Sequence, residues 1–599
     1  MRKVRVSVLQ LCKCGVGEEN RRETRTEVVV GGSTSLLETT GEHQRKSSAT
    51  FTYRHTHRVT AGGTGTMEIN IRTLIFLTFM TAALSDLTEL LSSAPGAHGD
   101  LLLPKTKGKI PLWIKGALYR AGPGLFEHGN RSVNGLCDAL AKVHGWSFEG
   151  DGTVRYNAAM VPSHMYNRTM EDKVLAPNSV IGDIVPDLTF LEELEVMTMD
   201  TNKKDNSNIA IWNLDGGRSV TVTAESPVMQ QMTPHSIEYK GQMISGALAQ
   251  LPTYRKALFS ASHFAKHQSG TSINYILTVS LMPWELLTAS YDFYEYIPTT
   301  SETVETRKIG SIPQPLADLR ILHMMGATKN FVVVPLWNNQ FTPDSLDVLH
   351  DMTHLCHSMR FNYDNHFYLY VMSLSSGKLH KFELPPARAV HVMNTFERTN
   401  PRGELEVVLD APTTSDVNEK DLNKICLFDV MKIPNMKNTK YLYENIPWNT
   451  TLRRYVMNIN TLEYSIEDFP RVWEPVDALV EFPFINPAYW GRDYCYCYFQ
   501  QWIMRTNEMD LLKYDLCKKT AVSWHEDDKH VMEPVFVARP DSGEEDDGVV
   551  IAPVFDSRDS TTELIVWDAK NLTVLARFDN LVKVPFTIHG WWFGEDGAL

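Results

Sequence analysis

The hydrophobic positions of this chain come in short runs rather than long stripes. From about residue 104 onward, apolar and β-branched residues cluster in segments of four to eight, separated by Gly, Asp, Asn and Pro. Asn208-Ile-Ala-Ile-Trp-Asn213, Ser219-Val-Thr-Val-Thr-Ala224, Phe331-Val-Val-Val-Pro-Leu336 and Phe367-Tyr-Leu-Tyr-Val-Met372 are examples. Val535–Arg539, Val549–Val554 and Glu563–Trp567 continue the series. This pattern predicts β-strands joined by turns. Several units read strand, turn, strand, as in Tyr368–Leu374, Ser376-Gly377, Lys378–Leu384, which is meander geometry and closes well as a propeller. No repeat of fixed period is visible, and Trp567-Asp568 stands alone, which argues against a WD40 array. Helical periodicity is scarce; Asp344–Ser358 is the best helix outside the N-terminal region.

The first hundred residues differ. Residues 1–66 are rich in Arg, Thr, Glu, Gly and Ser without a sustained apolar period, and read as disordered or as an extension of the gene model. Residues 67–103 hold an apolar run, TLIFLTFMTAAL at 73–84, followed by a linker. That run is short for a membrane span. With Met67 as the start it resembles the core of a signal peptide, so a secretory route stays open; a docked N-terminal helix is the plainer alternative. Residues 104–599 contain no linker-like stretch and read as one domain.

Composition then narrows the function classes. The 599 residues carry 58 Lys and Arg against 72 Asp and Glu, a net charge of −14, which argues against nucleic acid as a partner. Eight cysteines are too few for a disulfide scaffold, and all eight read as free thiols. No G-x-S-x-G, Walker loop, G-x-G-x-x-G or H-E-x-x-H occurs.

The chemistry sits in histidines with strand-like, apolar surroundings: His263, His323, His391 and His589. The clearest are His391-Val-Met-Asn394-Thr-Phe-Glu397 and Val584-Pro585-Phe-Thr-Ile-His589-Gly590. Neutral imidazole is a good ligand for iron, zinc or copper. A lone buried histidine more often bonds to backbone, but Asn394 and Glu397 make His391 part of a motif. Gly590 lets the backbone approach closely beside His589, although the tryptophans that follow are equally consistent with plain core. Three carboxylates also lie in apolar runs: Glu225, Glu481 and Glu533. Each needs a buried partner, either an arginine or backbone group, or the Nδ1–H of a metal-binding histidine. His350, His354 and His357, spaced as on one helix face, read as a surface decoy, and His235 in Thr233-Pro-His-Ser reads as a turn residue without a ligand role.

These motifs, in order along the chain, resemble the carotenoid cleavage oxygenase family, animal branch. Gly116-Ala-Leu-Tyr-Arg-Ala-Gly-Pro-Gly-Leu-Phe-Glu127 is similar to the family's opening segment. His391 to Glu397, Glu481-Phe-Pro-Phe-Ile-Asn486, Glu533-Pro-Val-Phe-Val, Glu545-Asp-Asp-Gly-Val-Val550 and Val584 to Gly590 resemble later ones. The resemblance implies an all-β, seven-bladed propeller with a helical or loop cap, holding Fe(II) on its axis through four histidines. Carried over by position, these are His263, His323, His391 and His589. Glu225, Glu481 and Glu533 map behind His323, His391 and His589, leaving His263 without a carboxylate. Ala121, Ala139 and Phe264 depart from the usual Asn, Gly and Pro, and Glu225 lies in a divergent context.

The implied activity is O2-dependent cleavage of one double bond in a carotenoid or apocarotenoid to two carbonyl products, as in β-carotene dioxygenases. Retinyl ester isomerohydrolase and stilbene-cleaving activity are the alternatives. The expected partners are an apolar polyene, O2 and peripheral contact with a membrane, through Phe341 to Leu349 and residues 253–265; the expected location is cytoplasmic.

Overall fold

The computed structural model describes residues 86–595, apart from 281, 283–287, 300–303, 342–352, 362–364, 415–428, 446–449 and 477. Residues 1–66, the apolar run at 73–84 and most of the expected helix Asp344–Ser358 therefore lie outside the described residues. Of that helix, one turn is described, Leu355–Ser358.

Strands account for 48% of the structure and helices for 10%, so the chain is mostly β. The strand-like runs form strands near the expected bounds: Phe331–Leu336, Phe367–Ser373, Leu379–Leu384, Gly548–Asp556 and Thr561–Asp568. Phe331–Leu336 and Gly548–Asp556 are buried throughout, as β-branched and aromatic runs require when covered on both faces, whereas Leu379–Leu384 alternates and buries only Phe382 and Leu384. The longest described helices have nine residues, His164–Asp172 and Phe190–Thr198. The second is set by a capping box between Thr189 and Glu192. No helix among the described residues is long and apolar enough to cross a membrane.

The sheets are antiparallel meanders. Ala210–Trp212, Val220–Thr223, Val228–Met232 and Tyr239–Ile244 form one in sequence order. Gly326–Ala327, Phe331–Leu336, Phe367–Ser373 and Leu379–Leu384 form another, and Asn394–Thr399, Leu405–Thr413, Thr451–Asn458 and Tyr464–Asp468 a third. A five-stranded sheet spans Arg255–Ser260 to Val304–Pro315, with Ala265–Lys266 paired to its long second strand. The ten-stranded sheet contains two meanders, 479–524 and 535–579, linked through the short strand Lys529–Val531. In the remaining five-stranded sheet the last strand of the chain, Gly590–Gly594, pairs with Lys115–Leu125 near the start of the described residues. The early and the last of the described strands are thus locked into one sheet.

One expectation is corrected. Cys495 and Cys517 form a disulfide, with Cα atoms 5.2 Å apart, and Cys356 is also disulfide-bonded. Cys137 and Cys497 are free. The cause lies at the open end of a hairpin: Tyr496 pairs with Asp515 and the Leu516 amide donates to the Cys495 carbonyl, which leaves Cys517 one residue beyond Cys495's partner and within reach of it. A separation of 22 residues gives no hint of this in the sequence.

Candidate metal centre

Each of the four histidines stands at the entry to a short strand. His263 precedes Ala265–Lys266, His323 precedes Gly326–Ala327, His391 precedes Asn394–Thr399 and His589 precedes Gly590–Gly594. The four strands belong to four different sheets, so residues up to 326 positions apart in the chain meet at one point. All four side chains are buried, and one ring nitrogen from each lies within 4.8 Å of the others. Ring centroids are 4.2 Å apart for His263 and His589 and 4.8 Å for His263 and His323.

Three rings are backed by carboxylates. Nδ1 of His323 lies 2.5 Å from Glu225 Oε1, Nδ1 of His391 2.6 Å from Glu481 Oε2, and Nδ1 of His589 2.6 Å from Glu533 Oε1. An ionised carboxylate only accepts, so each Nδ1 carries the proton and each Nε2 keeps its lone pair for the centre. His263 has no carboxylate, and its Nε2 is buried without a hydrogen-bond partner. Burial, with the neighbouring rings, holds His263 and His589 well below the ordinary imidazole range and keeps them neutral. Burial pushes the Glu533 carboxyl up to about 7, against the pull of Arg120 and the Gly590 amide. Burial also raises Glu225, but the electrostatic pull of the His323 ring and hydrogen bonds from His323 and Ser262 bring its net value below the usual carboxylate range.

The donor set fits a metal ion. Nε2 of His391 lies 3.3 Å from Nε2 of His323 and 3.2 Å from Nε2 of His589. With the protons on Nδ1, these are lone pairs facing lone pairs, an arrangement that repels unless a cation sits between them. Metal–imidazole bonds of about 2.1 Å at an angle near 100° place two nitrogens about 3.2 Å apart. The orphaned Nε2 of His263 supplies a fourth donor. Neutral imidazoles and oxygen-free ligation suit iron, zinc or copper rather than calcium or magnesium.

The local sequence explains how the rings are held. In His391-x-x-Asn-x-Phe-Glu, Asn394 donates to the carbonyls of Tyr489 and Arg492 and accepts from the Gly491 amide. Glu397 accepts from Thr328 Oγ1 and the Asn330 amide, just beyond the His323 strand. The motif thus ties the His391 strand to its neighbours, with Phe396 buried between them. In Glu481-Phe-Pro-Phe, a bulge breaks the register between Glu481 and Phe484, and Phe482 adopts a positive φ of 54°. That kink turns Glu481 toward His391 and lays Phe482 beside the His391 and His589 rings, at 5.5 and 5.1 Å. The divergent Phe264 packs against Trp212 and Tyr296. Trp212 Nε1 and Thr223 Oγ1 both donate to the Ser262 carbonyl, which fixes the turn carrying His263.

The sequence reading missed Arg120. It is fully buried and donates to Thr587 Oγ1 at 2.6 Å, the Glu533 carbonyl at 2.8 Å and the Ile588 carbonyl at 2.9 Å. Its guanidinium also lies 3.6 Å from the Glu533 carboxylate. It therefore clamps His589's segment to the carboxylate behind His589. Gly590 is the complement: a Cβ there would stand 2.7 Å from Arg120 Cγ and 2.8 Å from the Tyr119 carbonyl. The signal was present in Tyr-Arg-Ala-Gly-Pro-Gly, an arginine inside an apolar strand. Ala121 sits beside it, with its backbone bonded to His589 and Ile588.

Neither His235 nor His354 joins the centre. His235 occupies a turn with φ 63° and its amide donates to Tyr119 Oη. His354 is buried and precedes the one-turn helix Leu355–Ser358; His350 lies outside the described residues.

A family model described as RPE65, retinal pigment epithelial membrane protein, matches residues 96–594. The chain belongs to this family, that of the carotenoid cleavage oxygenases. It is 24% identical to rice carotenoid cleavage dioxygenase 8 homolog B over 489 residues, 81% of each chain. It is also 24% identical to human β,β-carotene 15,15′-dioxygenase, covering 81% of this chain and 91% of the human one. Among solved structures, cobalt-substituted Synechocystis apocarotenoid oxygenase superposes with a TM-score of 0.67 at 19% identity, over 84% of this chain and 97% of that one. A chimera of that oxygenase with RPE65 gives 0.68 at 19%, over 85% and 98%. At such identity these likenesses speak for a shared fold.

Proposed function

We propose that this protein is a non-haem Fe(II) dioxygenase that cleaves one double bond of a carotenoid or apocarotenoid with O2, giving two carbonyl products. The observation that carries the reading is the buried group of four histidines, three of them backed by carboxylates, in a chain of this family. Its relatives of comparable length are named carotenoid and β-carotene dioxygenases. We read the sheets as the seven blades of a propeller, the ten-stranded sheet counting as two, with the histidines at the axis and the helices as a cap.

His263, His323, His391 and His589 would hold the iron, and Glu225, Glu481 and Glu533 would fix three of the rings and offset its charge. Bound iron supplies the chemistry of dioxygen activation, with both oxygen atoms free to enter the products without an organic cofactor. The protein's part is placement. An apolar cavity of about 170 Å³ lies beside Glu225, walled by Ala224, Phe259, Leu277, Phe341 and Met359 among others. Residues just before His323 (Leu319 to Ile321) line this cavity, whereas those just after it do not. None of the four histidines borders this cavity, whereas a smaller one of about 50 Å³ touches His263, His391 and His589; a polyene reaching from apolar walls into that smaller space would be cleaved at the bond lying over the histidines.

Membrane contact is part of the proposal. Phe190, Leu191 and Leu194 are exposed on the helix Phe190–Thr198, whose Met197 lines the cavity. Such a patch beside an apolar cavity suits uptake of a substrate that barely dissolves in water. Of the segments named from sequence, Tyr254 is exposed and Lys256, two residues on, donates to the Met197 carbonyl of that helix, while residues 342–349 lie outside the described residues.

The test is incubation of the Fe(II)-loaded full-length chain with β-carotene, apocarotenals and retinyl ester in air, with mass analysis of products. Two aldehydes or ketones from a polyene support the proposal. A retinol isomer from the ester, with the polyenes untouched, would overturn it in favour of isomerohydrolysis.

A further inference from the structure

The strands that leave the histidines line a second set of cavities. One of about 50 Å³ touches His263, His391 and His589; the next, also about 50 Å³, is lined by residues further along the same strands, including Lys266, Gly326 and Asn394. Both adjoin Trp490, as does a larger cavity of about 800 Å³ that continues past Lys266 and is walled by Phe484, Trp490, Phe536, Trp591 and Trp592. Lys266 lines both the second and the third. Its Nζ donates to the Asn213 carbonyl at 2.5 Å and lies 6.0 Å from the Trp212 ring centroid and 5.8 Å from that of Trp591. An amine among aromatic faces, at the boundary of a cavity of this size whose lining also includes Lys115, Arg492 and Arg539, has no role in the chemistry above.

We propose that Lys266 is a carbonyl-capture site that holds an apolar aldehyde in the aromatic cavity as an imine. The inference rests on the reading that the protein forms carbonyl products, and it adds a station for one of them. The Nζ lone pair attacks the aldehyde carbon, and the C=O π electrons move to oxygen, which takes a proton. The resulting carbinolamine loses water as the C=N bond forms. The balance is amine plus aldehyde to imine plus water, with no oxidant or reductant. The protonated imine keeps a positive charge, which the faces of Trp212 and Trp591 stabilise, and its N–H can donate to the Asn213 carbonyl. The cavity falls in the range that encloses a small apolar ligand. Burial pushes the Lys266 amine down to about 7, although Asp215 acts the other way, so much of it is unprotonated near neutral pH. Lys142, also buried, donates instead to the carbonyls of Ala94 and Gly96 and borders none of these cavities, so it serves as an internal control.

The test uses the full-length, metal-loaded chain with substoichiometric retinal as the probe and sodium cyanoborohydride to trap imines, followed by peptide mass analysis. Lys266 is expected to carry the retinyl adduct roughly tenfold or more ahead of exposed Lys105, because the cavity gathers the aldehyde beside its amine. A red-shifted imine absorption band is expected in the wild type and absent from Lys266→Met and Lys266→Gln, both of which retain bound metal. Adduct at Lys105 or Lys142 as fast as at Lys266 would overturn the proposal, as would labelling confined to Lys204, which lines the other apolar cavity. Because retinal is added directly, capture is read whether or not the protein cleaves polyenes, so the two readings fail independently.

Discussion

Replacing Arg120 with methionine tests how the His589 side of the centre is built. Methionine fills similar volume and donates nothing. Three well-formed hydrogen bonds disappear, to Thr587 Oγ1, the Glu533 carbonyl and the Ile588 carbonyl. Two stranded backbone acceptors cost about 1–3 kcal/mol each. The Glu533 carboxylate also loses the cation 3.6 Å away, in a site where neither partner meets solvent to any extent. Breaking a buried charge pair by removing one member typically costs about 3–5 kcal/mol, and the two routes to the estimate agree. Arg120→Met is therefore expected to lose about 3–5 kcal/mol in urea unfolding of the metal-free protein. With His589 and Glu533 no longer clamped, affinity for Co(II), read by visible absorption, is expected to fall by about 10–100-fold. Arg120→Lys keeps the charge and part of the bonding and is expected to fall between. Arg398→Met supplies the contrast, because the Arg398–Glu406 pair is half-exposed on the arginine side and such pairs are worth about 1 kcal/mol or less. If Arg120→Met unfolds at the wild-type urea midpoint and binds Co(II) as tightly, the clamp argument is wrong.

Other outcomes follow from the same geometry. His263→Ala removes one of four donors and is expected to abolish stable iron binding, measured as metal per chain after dialysis, with the fold kept by circular dichroism; full occupancy would contradict the four-histidine centre. Gly590→Ala forces a Cβ into Arg120 and the Tyr119 carbonyl, and is expected to cost roughly 1–3 kcal/mol of stability, as overpacking does, together with metal affinity. Cys517→Ser opens a loop of 22 residues and is expected to lose about 3 kcal/mol, seen as a lower thermal midpoint than the oxidised wild type; an unchanged midpoint would refute the disulfide.

Much of the fold was legible because β-branched and aromatic runs fit a pleated, buried surface, and their bounds matched strands such as Phe331–Leu336 almost to the residue. The sheets were not legible in the same way, since which strands pair depends on register across long separations. Gly590–Gly594 on Lys115–Leu125 is the extreme case. At the centre, local pattern distinguished His391 and His589 by their neighbours. The placement of His263 and His323 came from resemblance, because convergence of four strand entries leaves no local trace. The three glutamates stood out as charges in apolar runs, and the structure places each on a histidine. Arg120 carried the same signature and was overlooked, since its partners lie more than 400 residues away. The thiols were misread because a hairpin, not a spacing, joins Cys495 to Cys517.

The most direct test of the central claim is turnover of an apocarotenal by the Fe(II)-loaded chain under ¹⁸O₂, with short reaction times to limit exchange with water. The account predicts two carbonyl products, label from dioxygen entering them, and no products from the iron-free chain or without dioxygen. Equal turnover by the iron-free protein, or products formed in the absence of dioxygen, would contradict it.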